Sequence, residues 1–157
     1  MNHIRNIVIA GGGTAGWMAA AAFSKVLNER WSITLVESEE IGAVGVGEAT
    51  IPVINVYNTA LELDENEFMR ETSATFKLGI EFRNWGRQGE SYIHGFGRLG
   101  PDIGITRFHH YWLKMRSQGK ASGLEDYSIN IAAARANKML RAQKELGASP
   151  LAEIAHA

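Results

Sequence analysis

Gly11, Gly13 and Gly16 stand at G-x-G-x-x-G spacing, between a short apolar run, Ile7-Val8-Ile9-Ala10, and a stretch of good helix formers from Thr14 to Leu27. In a chain with 17 glycines the spacing alone says little, but its place between a strand and a helix is that of a dinucleotide cradle. The first glycine allows a tight turn and the second lets backbone approach a diphosphate. The third lets the helix press on the strand, and the helix N-terminus turns free N–H groups toward the anion. Ser32 to Glu37 resumes the β-branched character and ends on an acid about 20 residues beyond the motif, where a carboxylate accepts hydrogen bonds from ribose hydroxyls and repels a 2′-phosphate. FAD or NAD is therefore expected rather than NADP, held by Gly11, Gly13, Thr14, Ala15, Gly16 and Glu37.

A second glycine-dense segment, Ser38 to Pro52, is longer than a nicotinamide-binding domain places after its second strand, and ordered loops of that length are usually functional. Its small residues and exposed amides suit a flat tricyclic ring, so Gly47, Glu48, Ala49 and Thr50 are expected to contact a flavin. Farther on, Phe76, Leu78, Ile80 and Phe82 alternate with Lys77, Gly79, Glu81 and Arg83, the period of a half-buried strand whose polar face could wall a cavity. Lys77 lies two residues from Gly79, whose missing side chain is expected to leave open space. Residue type alone makes Lys77 a strand lysine that pairs with Glu81 or faces water.

The elements that must position these groups follow from the same patterns. Helices are expected over 53–61 and 65–73, the second opened by Asp64 with Glu67 at capping-box spacing. A strand is expected at Ser91 to Gly97 and a helix over 107–117. Ser122 with Glu125 should cap a short helix, and a longer one should run from Ile131 to Leu146, stopped by Gly147 and Pro150. Trp17 and Phe23 should pack the first helix on the sheet. His94, His109 and His110 have no acid or cysteine at ligand spacing, so no metal is expected. A net charge of −1 supplies no field to attract nucleic acid or an anionic membrane. The absence of cysteine fits a reducing compartment, and the N-terminal apolar run is too short for a signal peptide, so a cytoplasmic location is expected.

Taken together, "GGGTAGWMAA", "VGVGEATIP", "FKLGIEFRNWG", "HGFG" and "HYW" followed by "GK" resemble the N-terminal part of the flavin-dependent tryptophan halogenase family. These motifs fall within about the first 120 residues, and the remainder resembles the family only loosely. The resemblance implies an α/β fold with an FAD/NAD(P)-binding Rossmann-like domain. Residues 1–52 would form the dinucleotide-binding unit and flavin loop, and 53–157 an inserted strand-plus-helix region leading to the substrate. It also implies that reduced FAD, supplied by a separate flavin reductase, activates oxygen to oxidise chloride or bromide to hypohalous acid. Lys77 matches the family's catalytic lysine, which would position that acid beside tryptophan or another indole-like aromatic.

The family's W-x-W-x-I-P signature and catalytic glutamate have no counterpart here, so the domain is read as incomplete relative to the family. An exposed sheet edge should then favour a homo-oligomer or a missing C-terminal portion. A truncated flavin-binding fragment without activity and another FAD-dependent monooxygenase are the alternatives.

Overall fold

The computed structural model describes residues 3–41, 49–139 and 154–157. Contacts divide the chain into two units, Met1–Glu48 with Val56–Phe68, and Ala49–Asn55 with Met69–Ala157. The helices after the second loop belong partly to each unit.

In the first unit β1 (Asn6–Ala10) pairs in parallel with β2 (Ser32–Val36), in register from Asn6 opposite Ser32 to Ala10 opposite Val36. The connecting α1 (Thr14–Val26) packs on both strands. A continuous apolar run predicts burial on two faces, yet along each strand half-buried and exposed residues alternate. Val8 is 67% exposed and Val36 54%. Among the described residues α1 covers one face of this two-stranded sheet, and Val8 and Val36 point away from it. Trp17 and Phe23, expected in the packing of α1, are likewise exposed. The contact is made instead by the small side of the helix, where Met18 and Ala19 to Ala22 are half-buried. Tyr57 donates its hydroxyl hydrogen to the Met18 carbonyl at 2.7 Å, and the burial of that hydroxyl raises its pKa above the ordinary tyrosine value.

Two helices follow the second loop, α2 (Val53–Ala60) and α3 (Glu65–Thr72). Asp64 opens α3 as its spacing predicts: Oδ1 accepts from the N–H groups of Asn66 at 2.9 Å and Glu67 at 3.0 Å, satisfying two donors that the first helical turn leaves free.

In the second unit the single strand expected from Phe76 to Phe82 is broken at Leu78. β3 (Phe76–Lys77) pairs antiparallel with β6 (Ala155–His156), while β4 (Gly79–Arg83) pairs antiparallel with β5 (Ser91–Gly95). At the break the Leu78 carbonyl accepts from Phe96 N–H at 2.8 Å, and the Leu78 side chain is buried with Ile154 against Phe76, Ala133 and Met139. α4 (Phe108–Ser117) begins where Asp102 Oδ1 accepts from Phe108 N–H at 2.8 Å. A 3-10 turn (Leu124–Tyr127) follows Gly123 rather than a helix capped by Ser122. α5 (Ile129–Arg135) is capped by Ser128, whose hydroxyl accepts from Ile131 N–H at 3.3 Å. The longer helix expected to Leu146 turns at Ala136 to Asn137, and its remainder from residue 140 lies outside the described residues. Ile131 packs so closely on β5 that a Cβ at Gly95 would sit 2.5 Å from its Cγ1.

Candidate functional site

The glycine turn of the first unit is built by close backbone approach. Gly11 has φ +119°, a conformation natural to glycine alone, and its N–H donates to the Val36 carbonyl at 2.8 Å, tying the turn to β2. A Cβ at Gly16 would lie 1.9 Å from the Gly11 carbonyl oxygen, so α1 can begin where it does only without one. Gly13 is the N-cap of α1. No side chain caps that end, no acid stands in the first turn, and a Cβ there would meet nothing within 4 Å. Thr14 and Ala15 are exposed beside it. The result is an open, uncapped helix N-terminus, the environment that attracts phosphate.

Glu37 lies at the same turn. A Cβ at Gly12 would come within 1.7 Å of Glu37 Oε2, so the carboxylate rests directly on the Gly12 backbone. The motif spacing treats residue 12 as interchangeable. The uninterrupted Gly11-Gly12-Gly13 run was the available signal that it is not. These residues fit the diphosphate and ribose of a dinucleotide.

The second unit holds Lys77. Its Nζ donates to the Thr50 carbonyl at 2.9 Å and lies 5.7 Å from the centre of the Phe96 ring, a side chain buried in the core. Glu81, the partner residue type suggested, pairs instead with Arg83 at 2.7 Å, and that hydrogen bond holds the Glu81 carboxyl below the usual glutamate range. Thr50 is fixed in turn by β6, exchanging hydrogen bonds with both main-chain groups of His156.

A groove of about 640 Å³ runs beside these strands, lined among others by Phe76, Lys77, Glu81, Ile93 and Arg135. Gly79 lines this groove, in line with the open space expected beside it, but the place its own side chain would take is filled: a Cβ there would lie 2.6 Å from the His94 carbonyl oxygen and 2.9 Å from Gly95 Cα. Glycine at that position serves the close approach of β4 and β5. Gly47 and Glu48 lie outside the described residues, whereas Ala49 and Thr50 belong to the second unit.

The aromatic stretch on α4 settles into packing with bonded polar tips. Tyr111 donates its hydroxyl hydrogen to the Pro101 carbonyl, Trp112 Nε1 donates to the Ser122 carbonyl at 3.2 Å, and the exposed rings of His109 and His110 lie 4.0 Å apart.

Among solved structures the chain is similar to Xcc4156, a flavin-dependent halogenase from Xanthomonas campestris, at 46% identity and a TM-score of 0.85 over 99% of this chain and 30% of that one. It is similar also to BrvH, a flavin-dependent halogenase from Brevundimonas sp. BAL3, at 43% identity and a TM-score of 0.80, covering 98% and 30%. Among curated proteins, the tryptophan 6-halogenase SttH of Streptomyces toxytricini is 48% identical over 108 residues, which are 69% of this chain and 20% of SttH. The chain thus spans less than a third of the length of these relatives. The tryptophan halogenase family profile matches residues 6–157, and the chain belongs to that family.

Proposed function

We propose that the chain serves FAD-dependent halogenation of tryptophan or another indole-like aromatic, with chloride or bromide as co-substrate and Lys77 positioning hypohalous acid. The observation that carries this reading is the restraint on Lys77: its ammonium is held at 2.9 Å by a backbone carbonyl and lies over a buried aromatic ring. A strand lysine with only a solubilising role extends into water. An ammonium has three donors, so one on Thr50 leaves others for the oxygen of a small polar oxidant, and holding that oxidant at one point turns a diffusible reagent into a directed one.

Reduced FAD, supplied by a separate reductase and bound here, would activate oxygen and so supply the oxidising chemistry that turns chloride or bromide into hypohalous acid. Gly11, Gly13, Thr14, Ala15 and Gly16 would hold its diphosphate and Glu37 its ribose. Gly47, Glu48, Ala49 and Thr50 would contact its flavin ring, because small residues let backbone amides approach a flat ring.

The experiment is bromide incorporation into tryptophan or indole by the protein given reduced FAD and oxygen, compared with Lys77→Ala. Incorporation by the parent and none by a variant that still binds FAD supports the reading. Loss of FAD by the variant shows the lysine to be misassigned. A protein that binds FAD and halogenates nothing is the non-catalytic flavin-binding fragment.

A further inference from the structure

We infer that Thr50 is a positioning residue for Lys77: its hydroxyl takes the place of its own carbonyl in pairing with β6, which releases that carbonyl to hold the lysine ammonium. The inference rests on the proposed halogenation for its functional meaning, and the geometry stands without it.

In an antiparallel ladder, a hydrogen-bonded residue offers both its N–H and its C=O to the residue opposite. Thr50, which lies outside the strands but beside His156, offers it only the first of these from its main chain. Its N–H donates to the His156 carbonyl at 2.8 Å, but the His156 N–H donates to Thr50 Oγ1, at 2.9 Å. The same hydroxyl donates back to the His156 carbonyl at 2.8 Å. Both main-chain groups of His156 are thereby satisfied without the Thr50 carbonyl. That oxygen is the one Lys77 reaches at 2.9 Å.

The surroundings fit this division. Thr75 and Ala157 exchange main-chain hydrogen bonds on the β3 side of β6, so the His156 groups face the other edge, where Thr50 lies. Asn55 Nδ2 donates to the Ile154 carbonyl at 2.7 Å, so the segment from Thr50 to Asn55 holds β6 at His156 and the residue just before the strand at Ile154. Lys77 stands opposite Ala155, which is fully buried. Directly opposed residues in an antiparallel pair share a face, so the lysine stem crosses β6 over a methyl group, the lowest side chain that β-carbon chemistry allows.

Thr50→Val preserves the shape and removes the hydroxyl. The His156 N–H must then take the Thr50 carbonyl, drawing it away from Lys77, whereas Thr50→Ser keeps the arrangement. The first readout is acylation of lysines by an amine-reactive ester, quantified peptide by peptide with exposed Lys114 and Lys120 as internal standards. Thr50→Val should raise Lys77 labelling several-fold against Lys114, with Thr50→Ser as the parent; unchanged Lys77 labelling in a folded Thr50→Val overturns the inference. If the valine variant does not fold, the serine variant decides, because parental labelling supports the role of the hydroxyl and increased labelling overturns it.

The second readout is halogenation, where Thr50→Val should lower kcat by about tenfold to a hundredfold at unchanged KM for the aromatic, as misplacement of a reacting group does. Altered Lys77 labelling with no halogenation by the parent refutes the proposed reaction and leaves the positioning role standing. Halogenation by the parent with labelling unmoved in Thr50→Val refutes the positioning role alone.

Discussion

Gly13→Ala separates the ligand from the fold at the glycine turn. Gly13 has φ −75° and ψ 178°, ordinary for alanine, and the added methyl meets nothing within 4 Å. Two small terms then oppose each other in the protein without ligand. Alanine is a poorer N-cap than glycine by about 1 kcal/mol. The stiffer unfolded chain returns about 0.4–1 kcal/mol. The sum is near zero, and since 1 kcal/mol moves the Tm of a chain this size by about 2–4 °C, the variant should melt within about 2 °C of the parent. A diphosphate resting on this turn is treated differently, because the methyl fills the space the anion needs. Loss of one hydrogen bond to a charged oxygen costs about 1.5–3 kcal/mol, which weakens FAD about tenfold to a hundredfold. Flavin fluorescence titration beside thermal melts measures both. Gly16→Ala is the contrast: its methyl would lie 1.9 Å from the Gly11 carbonyl oxygen, so stability and FAD affinity should fall together. A Gly13→Ala variant with full affinity for FAD would refute the placement of the diphosphate over the glycine turn.

Gly79→Ala places a methyl 2.6 Å from the His94 carbonyl oxygen, so the β4–β5 pair must separate. Overpacking of this kind costs about 1–3 kcal/mol, read as a lowered urea midpoint, and a midpoint equal to the parent's would show that the strands yield freely. Asp64→Ala removes the acceptor of two helix N–H groups and should cost about 0.5–2 kcal/mol, with amide exchange quickening first at Asn66 and Glu67. Glu62 and Glu81 are held below the ordinary value of 4.5 by hydrogen bonds from Lys25 and Arg83. A lowered carboxylate pKa stabilises the fold above the unfolded value, and that contribution is lost as pH falls through the folded one. Glu62→Gln with Glu81→Gln should therefore flatten the acid limb of Tm against pH. An unchanged slope counts against both pairs.

Much of the fold was legible because its causes are local. An uninterrupted apolar run, a glycine turn and a block of alanine-rich helix formers lie within the first 27 residues, and β1 and α1 follow them closely. Asp64 caps α3 through donors two and three residues away. What escaped depends on partners distant in sequence. Alternation from Phe76 to Phe82 cannot reveal that the strand changes partner at Leu78, since one half pairs with β5 and the other with β6, at the far end of the chain. β6 itself is two residues long and carries no periodicity. Exposure of Trp17 and Val8 is equally invisible, because a side chain's hydrophobicity states a preference for cover and not the presence of something to cover it.

The same distinction governs the site. Gly11, Gly13, Gly16 and Glu37 could be singled out because a turn and the strand end that follows it encode their own geometry. Lys77 could be named through a family motif, but its restraint could not, since its partner is 27 residues earlier in a loop whose glycines drew attention to a flavin. In that loop Thr50 stands out in sequence only for its small size and its amide. Its place in the structure depends on a hydroxyl that no glycine or alanine could supply, set against a histidine 106 residues away. A threonine carries one more hydrogen-bonding atom than the ladder requires, and that surplus is what leaves a carbonyl free. In a chain where a backbone group must be spared for a side chain, the residue to look for is one whose own side chain can take over the backbone's task.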